Sequence, residues 1–106
     1  MESINVNTLK QWITAKKPQM LLDIREQWEF KHCSIDGSIN IPMSAITERL
    51  EELGENNNII VICHHGARSL QVAYYLEESG TNNNIMNLEG GIDAWADQIE
   101  GHMPRY

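Results

Sequence analysis

The chain has 106 residues, 42% of them hydrophobic, with 15 acidic against 8 basic side chains and a net charge of −7. That length suits one domain around one core, residues 1–106. The acidic balance argues against nucleic acid or an anionic membrane as the main partner, although a local positive pocket can persist in an acidic protein. No apolar run is long enough to span a bilayer. The start, Met1 to Asn7, has neither the basic region nor the apolar run of a secretory leader. Two cysteines fit a reducing compartment better than a disulfide scaffold. A cytoplasmic monomer is expected.

In chain order, Ser3 to Val6 reads as a short strand. Asn7 or Thr8 then caps a helix carrying Leu9, Trp12 and Ile13 on one face. Lys16-Lys17-Pro18 breaks that helix, and Met20 to Ile24 is the next buried strand. Asp23 and Arg25 fall at its carboxyl end, the edge where open α/β sheets build their sites. They read either as a frame for a site or as structural ion-pair residues, Arg25 pairing with Glu29 on the next turn.

Glu26 to Lys31 reads as a short helical turn. After Gly37 comes the strand Ser38 to Ile41, closed by Pro42, which cannot donate to a ladder. Ser44 is placed to cap a helix with Ile46, Leu50 and Leu53 inside and Glu48, Glu51 and Glu52 in solvent. Two triplets, Asn56–Asn58 and Asn82–Asn84, each turn a helix into a strand. The second leads into Ile85 to Leu88. Gly90-Gly91 then turns tightly into a helix bearing Ile92, Trp95 and Ile99, with Trp95 in the core. The tail, Gly101 to Tyr106, is expected to be loosely held.

The informative stretch is Ile59-Ile60-Val61-Ile62-Cys63-His64-His65-Gly66-Ala67-Arg68-Ser69. Four β-branched residues in a row predict a strand buried on both faces, as in a parallel sheet. From Ser69 the spacing of Leu70, Ala73, Tyr74 and Glu77 becomes helical, with Gly80 as the stop. The thiol of Cys63 therefore sits in the mouth of a helix N-terminus. There the backbone N–H groups lack intrahelical partners and the macrodipole is positive, so a thiolate is favoured. The alternation of about five strands with helices implies a mostly parallel α/β sheet with helices on both faces and right-handed crossovers.

Cys63 to Ser69 resembles the active-site loop of the rhodanese family of sulfurtransferases. Leu22 to Glu26 with Glu29-Phe30 and Ile35 to Pro42 is similar to that family's first block, and Leu88 to Trp95 to its C-terminal block. The three lie in the family's order and cover most of the chain. The resemblance implies a three-layer rhodanese-like fold in a single domain. It also implies sulfur transfer through a Cys63 persulfide, from a small anionic donor such as thiosulfate to cyanide, a small thiol or a protein thiol. His64, His65, Gly66, Ala67, Arg68 and Ser69 would bind the donor. Loop amides from His65 to Ser69 would hold the persulfide charge, and Arg68 the donor's oxyanion. With no lysine in the loop, capture of thiosulfate rests on Arg68 and the backbone. No cofactor and no metal is expected.

Other readings stay open. One is a sulfur-carrier or regulatory module of the same type acting on a protein partner; loss of the cysteine would mark a non-catalytic form, and Cys63 is present. Cysteine-dependent phosphatases and arsenate reductases share the strand–loop–helix geometry but wrap a tetrahedral oxyanion in a longer loop. Here only four residues, His64 to Ala67, separate Cys63 from Arg68. A metal set of Cys63, His64, His65 and Cys33 lacks zinc-type ligand spacing. Cys33-Ser34-Ile35 stands where the family often has Gly-His-Ile, which leaves Cys33 as either a resolving thiol or a buried small side chain.

Overall fold

The computed structural model describes residues 1–106. The elements run β1 (Glu2–Ile4), α1 (Val6–Thr14), β2 (Met20–Asp23), α2 (Gln27–His32), β3 (Ile39–Asn40), two 3₁₀ segments (Met43–Glu48 and Leu50–Leu53), β4 (Asn58–Ile62), α3 (Ala67–Glu78), β5 (Asn84–Leu88) and α4 (Gly91–Gln98). The five strands form one sheet in the order β1-β5-β4-β2-β3, and every pairing is parallel. No helix is long and apolar enough to cross a membrane.

Strand alternation divides the core into two layers. Ile60, Ile62, Leu21, Met86 and Leu88 face one side and pack with Val6 and Leu9 of α1 and Ile92, Trp95 and Ala96 of α4. Ile59, Val61, Cys63, Leu22 and Ile85 face the other and pack with Val72, Ala73 and Leu76 of α3 and Ile46 and Leu53 of the 3₁₀ segments. This is the three-layer α/β arrangement expected from the sequence. β4 is central, with all of Ile59 to Ile62 buried.

Local boundaries differ where a cap or a turn decides them. The first helix begins before Asn7: Asn5 is its N-cap, accepting from the Thr8 N–H at 2.8 Å, which leaves Val6 as a buried helical residue and not a strand end. The helix expected from Ser44 is two 3₁₀ segments, with Pro42 at its head and a break at Arg49 (φ −127°). Ile46 and Leu53 still reach the core, but Leu50 is only half-buried. On α3 the inward face is Ser69, Val72, Ala73 and Leu76; Tyr74 and Glu77 point to solvent, so the expected stripe is rotated.

The two Asn triplets form a ladder between the loops that open β4 and β5. Asn82 donates to Asn56 at 3.0 Å and Asn84 to Asn58 at 3.1 Å, while the Asn57 N–H donates to the Asn83 side chain at 2.9 Å. It closes the amino end of the sheet, opposite Cys63. The tail is not loose either. Met103 is buried against α4, and Tyr106 is bonded into the other end of the molecule.

Candidate active site

Cys63 follows β4 directly and is 1% exposed. Behind it, the amino end of α4 holds the loop: the Ile92 N–H donates to the Cys63 carbonyl at 2.9 Å and the Asp93 N–H to the His64 carbonyl at 3.0 Å. That approach requires Gly91, at φ +58°, because a Cβ there would stand 2.6 Å from the His64 oxygen and closer still to the Cys63 oxygen. Gly66 caps α3 in the left-handed region at φ +102°, and a Cβ there would lie 3.2 Å from the Gly90 nitrogen. The two glycines let the cysteine loop lie against the β5–α4 turn.

This conformation aims the Gly66 N–H at the Cys63 Sγ, 3.0 Å away. The other contact to the sulfur is Ser69 Oγ at 3.3 Å. Ser69 lies in the first turn of α3, where N–H groups have no intrahelical carbonyl to bond. A negative charge on the sulfur is therefore met by an amide dipole and the positive end of a helix.

Arg68 does not stand free in the loop. Its two terminal nitrogens donate to the two oxygens of Glu29, both at 3.0 Å. Glu29 is 4% exposed and also accepts from the Glu26 N–H at 2.9 Å, closing a capping box on α2, and from the Tyr106 hydroxyl at 2.8 Å. Burial alone would raise its pKa, but the Arg68, Glu26 and Tyr106 hydrogen bonds outweigh that and hold it at about 2. The guanidinium that the sequence assigns to the donor's oxyanion is already held by a carboxylate, and its own pKa is raised by that bond.

Of the two readings of Asp23 and Arg25, the ion pair named Glu29 as the partner of Arg25. It pairs with Asp23 instead, at 2.7 Å, both side chains fully buried. Arg25 also donates to the Cys33 carbonyl at 2.6 Å and the Tyr106 hydroxyl at 2.8 Å. Burial disfavours its charge, yet the bonds to Asp23 and Tyr106 prevail and keep its pKa above the ordinary arginine value. The reason for the exchange is reach: Asp23 is in the same strand end as Arg25, whereas Glu29 turns toward α3.

Tyr106 links these pairs. Its hydroxyl bridges Arg25 and Glu29, and its ring stacks on His64 with centroids 4.2 Å apart. Burial, with Glu29 opposing Arg25, pushes its phenol up to about 12. His64 is half-buried between Tyr106 and His65, whose ring lies 4.0 Å from it. Burial, then the proximity of the His65 ring, lowers the His64 pKa below the ordinary imidazole value. Ala67 and His65 are exposed on the outer side of the loop.

Cys33 belongs to the packing on the opposite face of the sheet from Cys63, and both thiols are free. The donors that gather are His64, His65 and Asp93, whose ligating atoms lie within 4.8 Å of one another; neither thiol is among them. The two imidazoles are nearly parallel, at 13°, and Asp93 is bonded to Arg105 at 2.5 Å. In-plane lone pairs of stacked rings do not converge on one ion, so this cluster needs rearrangement to bind a metal.

Sequence reasoning missed three residues here. Tyr106 gave no signal. Glu29 was named as a partner for Arg25 and as part of the first block of the resemblance, not as the partner of Arg68. Asn87 is a buried polar residue at 4% exposure among the buried apolar residues Ile85, Met86 and Leu88 of β5, and that interruption was visible in the sequence.

The sequence pattern of the rhodanese-like domain matches residues 5–98. The chain belongs to the rhodanese-like family. The Bacillus subtilis (strain 168) protein YtwF, provisionally named a sulfurtransferase, is 35% identical over 95 residues, 90% of each chain. A sulfurtransferase of Allochromatium vinosum is 32% identical over 96 residues, 91% of this chain and 89% of that one. A crystal structure from Staphylococcus saprophyticus superposes with a TM-score of 0.85 at 38% identity, covering 93% of this chain and 97% of the other. In general terms the chemistry of the rhodanese-like family is sulfur transfer, and the Cys63 loop lies within the matched residues.

Proposed function

We propose that the protein moves a sulfane sulfur from a donor such as thiosulfate through a persulfide on Cys63 to a nucleophilic acceptor. The Cys63 thiolate attacks the outer sulfur of thiosulfate. A new S–S bond forms, the S–S bond of the donor breaks, and sulfite leaves with the bonding pair. Cyanide, a small thiol or a protein thiol then takes the outer sulfur and returns the thiolate. These are two half-reactions through a covalent intermediate.

The observation that carries this reading is the Gly66 N–H donating to the Cys63 sulfur at 3.0 Å at the head of α3. The same helix end and loop amides are suited to the negative terminal sulfur of a persulfide. The cation expected to orient the donor, Arg68, would do so while bonded to Glu29. The donor's charge then rests more on the backbone than the sequence implied.

Steady-state turnover with thiosulfate and cyanide tests the reading. Parallel double-reciprocal lines, with thiocyanate and sulfite formed in equal amounts and no turnover by Cys63→Ser, are expected. Intersecting lines, or turnover that survives Cys63→Ser, would contradict it.

A further inference from the structure

Every arginine of the chain is paired with a carboxylate: Arg25 with Asp23, Arg49 with Glu52, Arg68 with Glu29, and Arg105 with Asp93 and Asp97. Arg68 is the one beside the nucleophile. It stands in the first turn of α3, next to Ser69, whose hydroxyl oxygen is 3.3 Å from the sulfur. The charge of Cys63 is among the influences on its pKa, so guanidinium and sulfur are within electrostatic reach of each other.

Glu29 is a permanent counter-charge to this guanidinium. Its carboxyl is 4% exposed and held at about pKa 2, so it is ionised wherever the thiol reacts. Two of the guanidinium N–H groups go to its two oxygens, both at 3.0 Å. The others are left for water or for the oxygens of a sulfur donor. Arg68 can therefore still hydrogen-bond, but its unit charge is cancelled by a neighbour that does not titrate away. The Gly66 amide and the helix end supply only partial charges, in a chain of net charge −7. A dianion approaching the Cys63 thiolate meets no uncompensated arginine there.

We propose that Glu29 is a specificity-determining residue, which by cancelling the charge of Arg68 sets the site for sulfane-sulfur donors of single negative charge over the thiosulfate dianion. This rests on the persulfide reading of Cys63. An organic thiosulfonate, R–SO₂–S⁻, is the matched donor, with the same reacting S–S bond and one charge fewer. The Cys63 thiolate attacks its outer sulfur and a new S–S bond forms. The S–S bond of the donor breaks, and a sulfinate leaves with the bonding pair where thiosulfate would release sulfite.

The experiment measures the rate of persulfide formation by intact mass, with thiosulfate and with sodium methanethiosulfonate, at about pH 8, above the ordinary imidazole range. The readout is the ratio of the two second-order rate constants. Both donors attack the same sulfur, so a change in loop geometry or thiol pKa moves both rates and a change in site charge moves their ratio. Native protein, Glu29→Gln, Arg68→Met and the double variant are compared at a temperature where melting curves show each folded. Glu29→Gln leaves one net positive charge and is expected to raise the thiosulfate-to-thiosulfonate ratio about five-fold, the worth of one donor charge across a wet pocket. Arg68→Met leaves one net negative charge and is expected to lower the ratio by about the same factor. The double variant is neutral again and is expected to return within about two-fold of the native ratio.

A ratio unmoved by Glu29→Gln, or one as high in the double variant as in Glu29→Gln, would overturn the proposal while leaving persulfide formation standing. No sulfur gained by the native protein from either donor would overturn the persulfide reading, and this one with it. Ionic strength gives a measurement that needs no substitution. Added salt is expected to leave native thiosulfate loading unchanged or to raise it; a steep fall would reveal an uncancelled cation facing the donor and overturn the proposal.

Discussion

Glu29 and Arg68 meet through two parallel hydrogen bonds of 3.0 Å, joining α2 to the first turn of α3 beside Cys63. The pair locks the loop from the side that β5 and α4 do not reach. It also fixes a pH dependence. The folded pKa of Glu29, about 2, lies below its ordinary 4.5. Its contribution to stability is therefore complete above about pH 4.5 and lost as pH falls toward 2. The shift corresponds to at most about 3 kcal/mol, reduced to about 1–2 kcal/mol by screening at the partly exposed Arg68. Urea unfolding from pH 6 to 2.5 should show that loss in the native protein and a flatter profile in Glu29→Gln.

Arg25 and Asp23 are a different case, both being fully buried. Removing one partner leaves an uncompensated charge in the core, so Arg25→Met should cost about 3–5 kcal/mol. The double replacement Asp23→Leu with Arg25→Met should recover part of it. Denaturant melts of the two variants check this; equal stability of the single and double variants would speak against a charge penalty.

Gly91→Ala should displace the cysteine loop. The new Cβ would press on the Cys63 and His64 carbonyls at a backbone angle of φ +58°, where side chains are strained. A loss of about 2–3 kcal/mol is expected. Slower alkylation of Cys63 should accompany it, read at a temperature where the variant is still folded.

Tyr106→Phe should keep the stack on His64 while removing the bonds to Arg25 and Glu29. A cost of about 1 kcal/mol follows, or a melting point lower by about 4–8 °C. Tyr106→Ala also strips the ring from His64, and Cys63, 1% exposed, should then alkylate faster than in the Phe variant. Equal rates in the two variants would show that the ring does not limit access.

The middle of the sheet was legible because β2 and β4 are short runs of buried aliphatic residues bounded by turn residues. The Cys63 loop was legible because strand, polar loop and helical spacing follow within one stretch. Less was legible where two distant segments decide the outcome. Arg25 had two acidic candidates, and only the folded register puts Asp23 in its fork and sends Glu29 to Arg68. The Ser44 stretch has helical spacing but settles as two 3₁₀ segments, entered at Pro42 and broken at Arg49 (φ −127°). Tyr106 lies far from the loop in sequence and only the tertiary fold reveals its contact with His64.

The most direct test of sulfur transfer is the intact mass of the purified protein before thiosulfate, after it, and again after cyanide, beside a Cys63→Ala control. The account predicts a gain of one sulfur atom on the native chain, its removal by cyanide, and no gain in Cys63→Ala. An unchanged mass with thiosulfate, while Cys63 still reacts with iodoacetamide, would contradict transfer from that donor. A gain that persists in Cys63→Ala would place the sulfur elsewhere and contradict the assignment of Cys63.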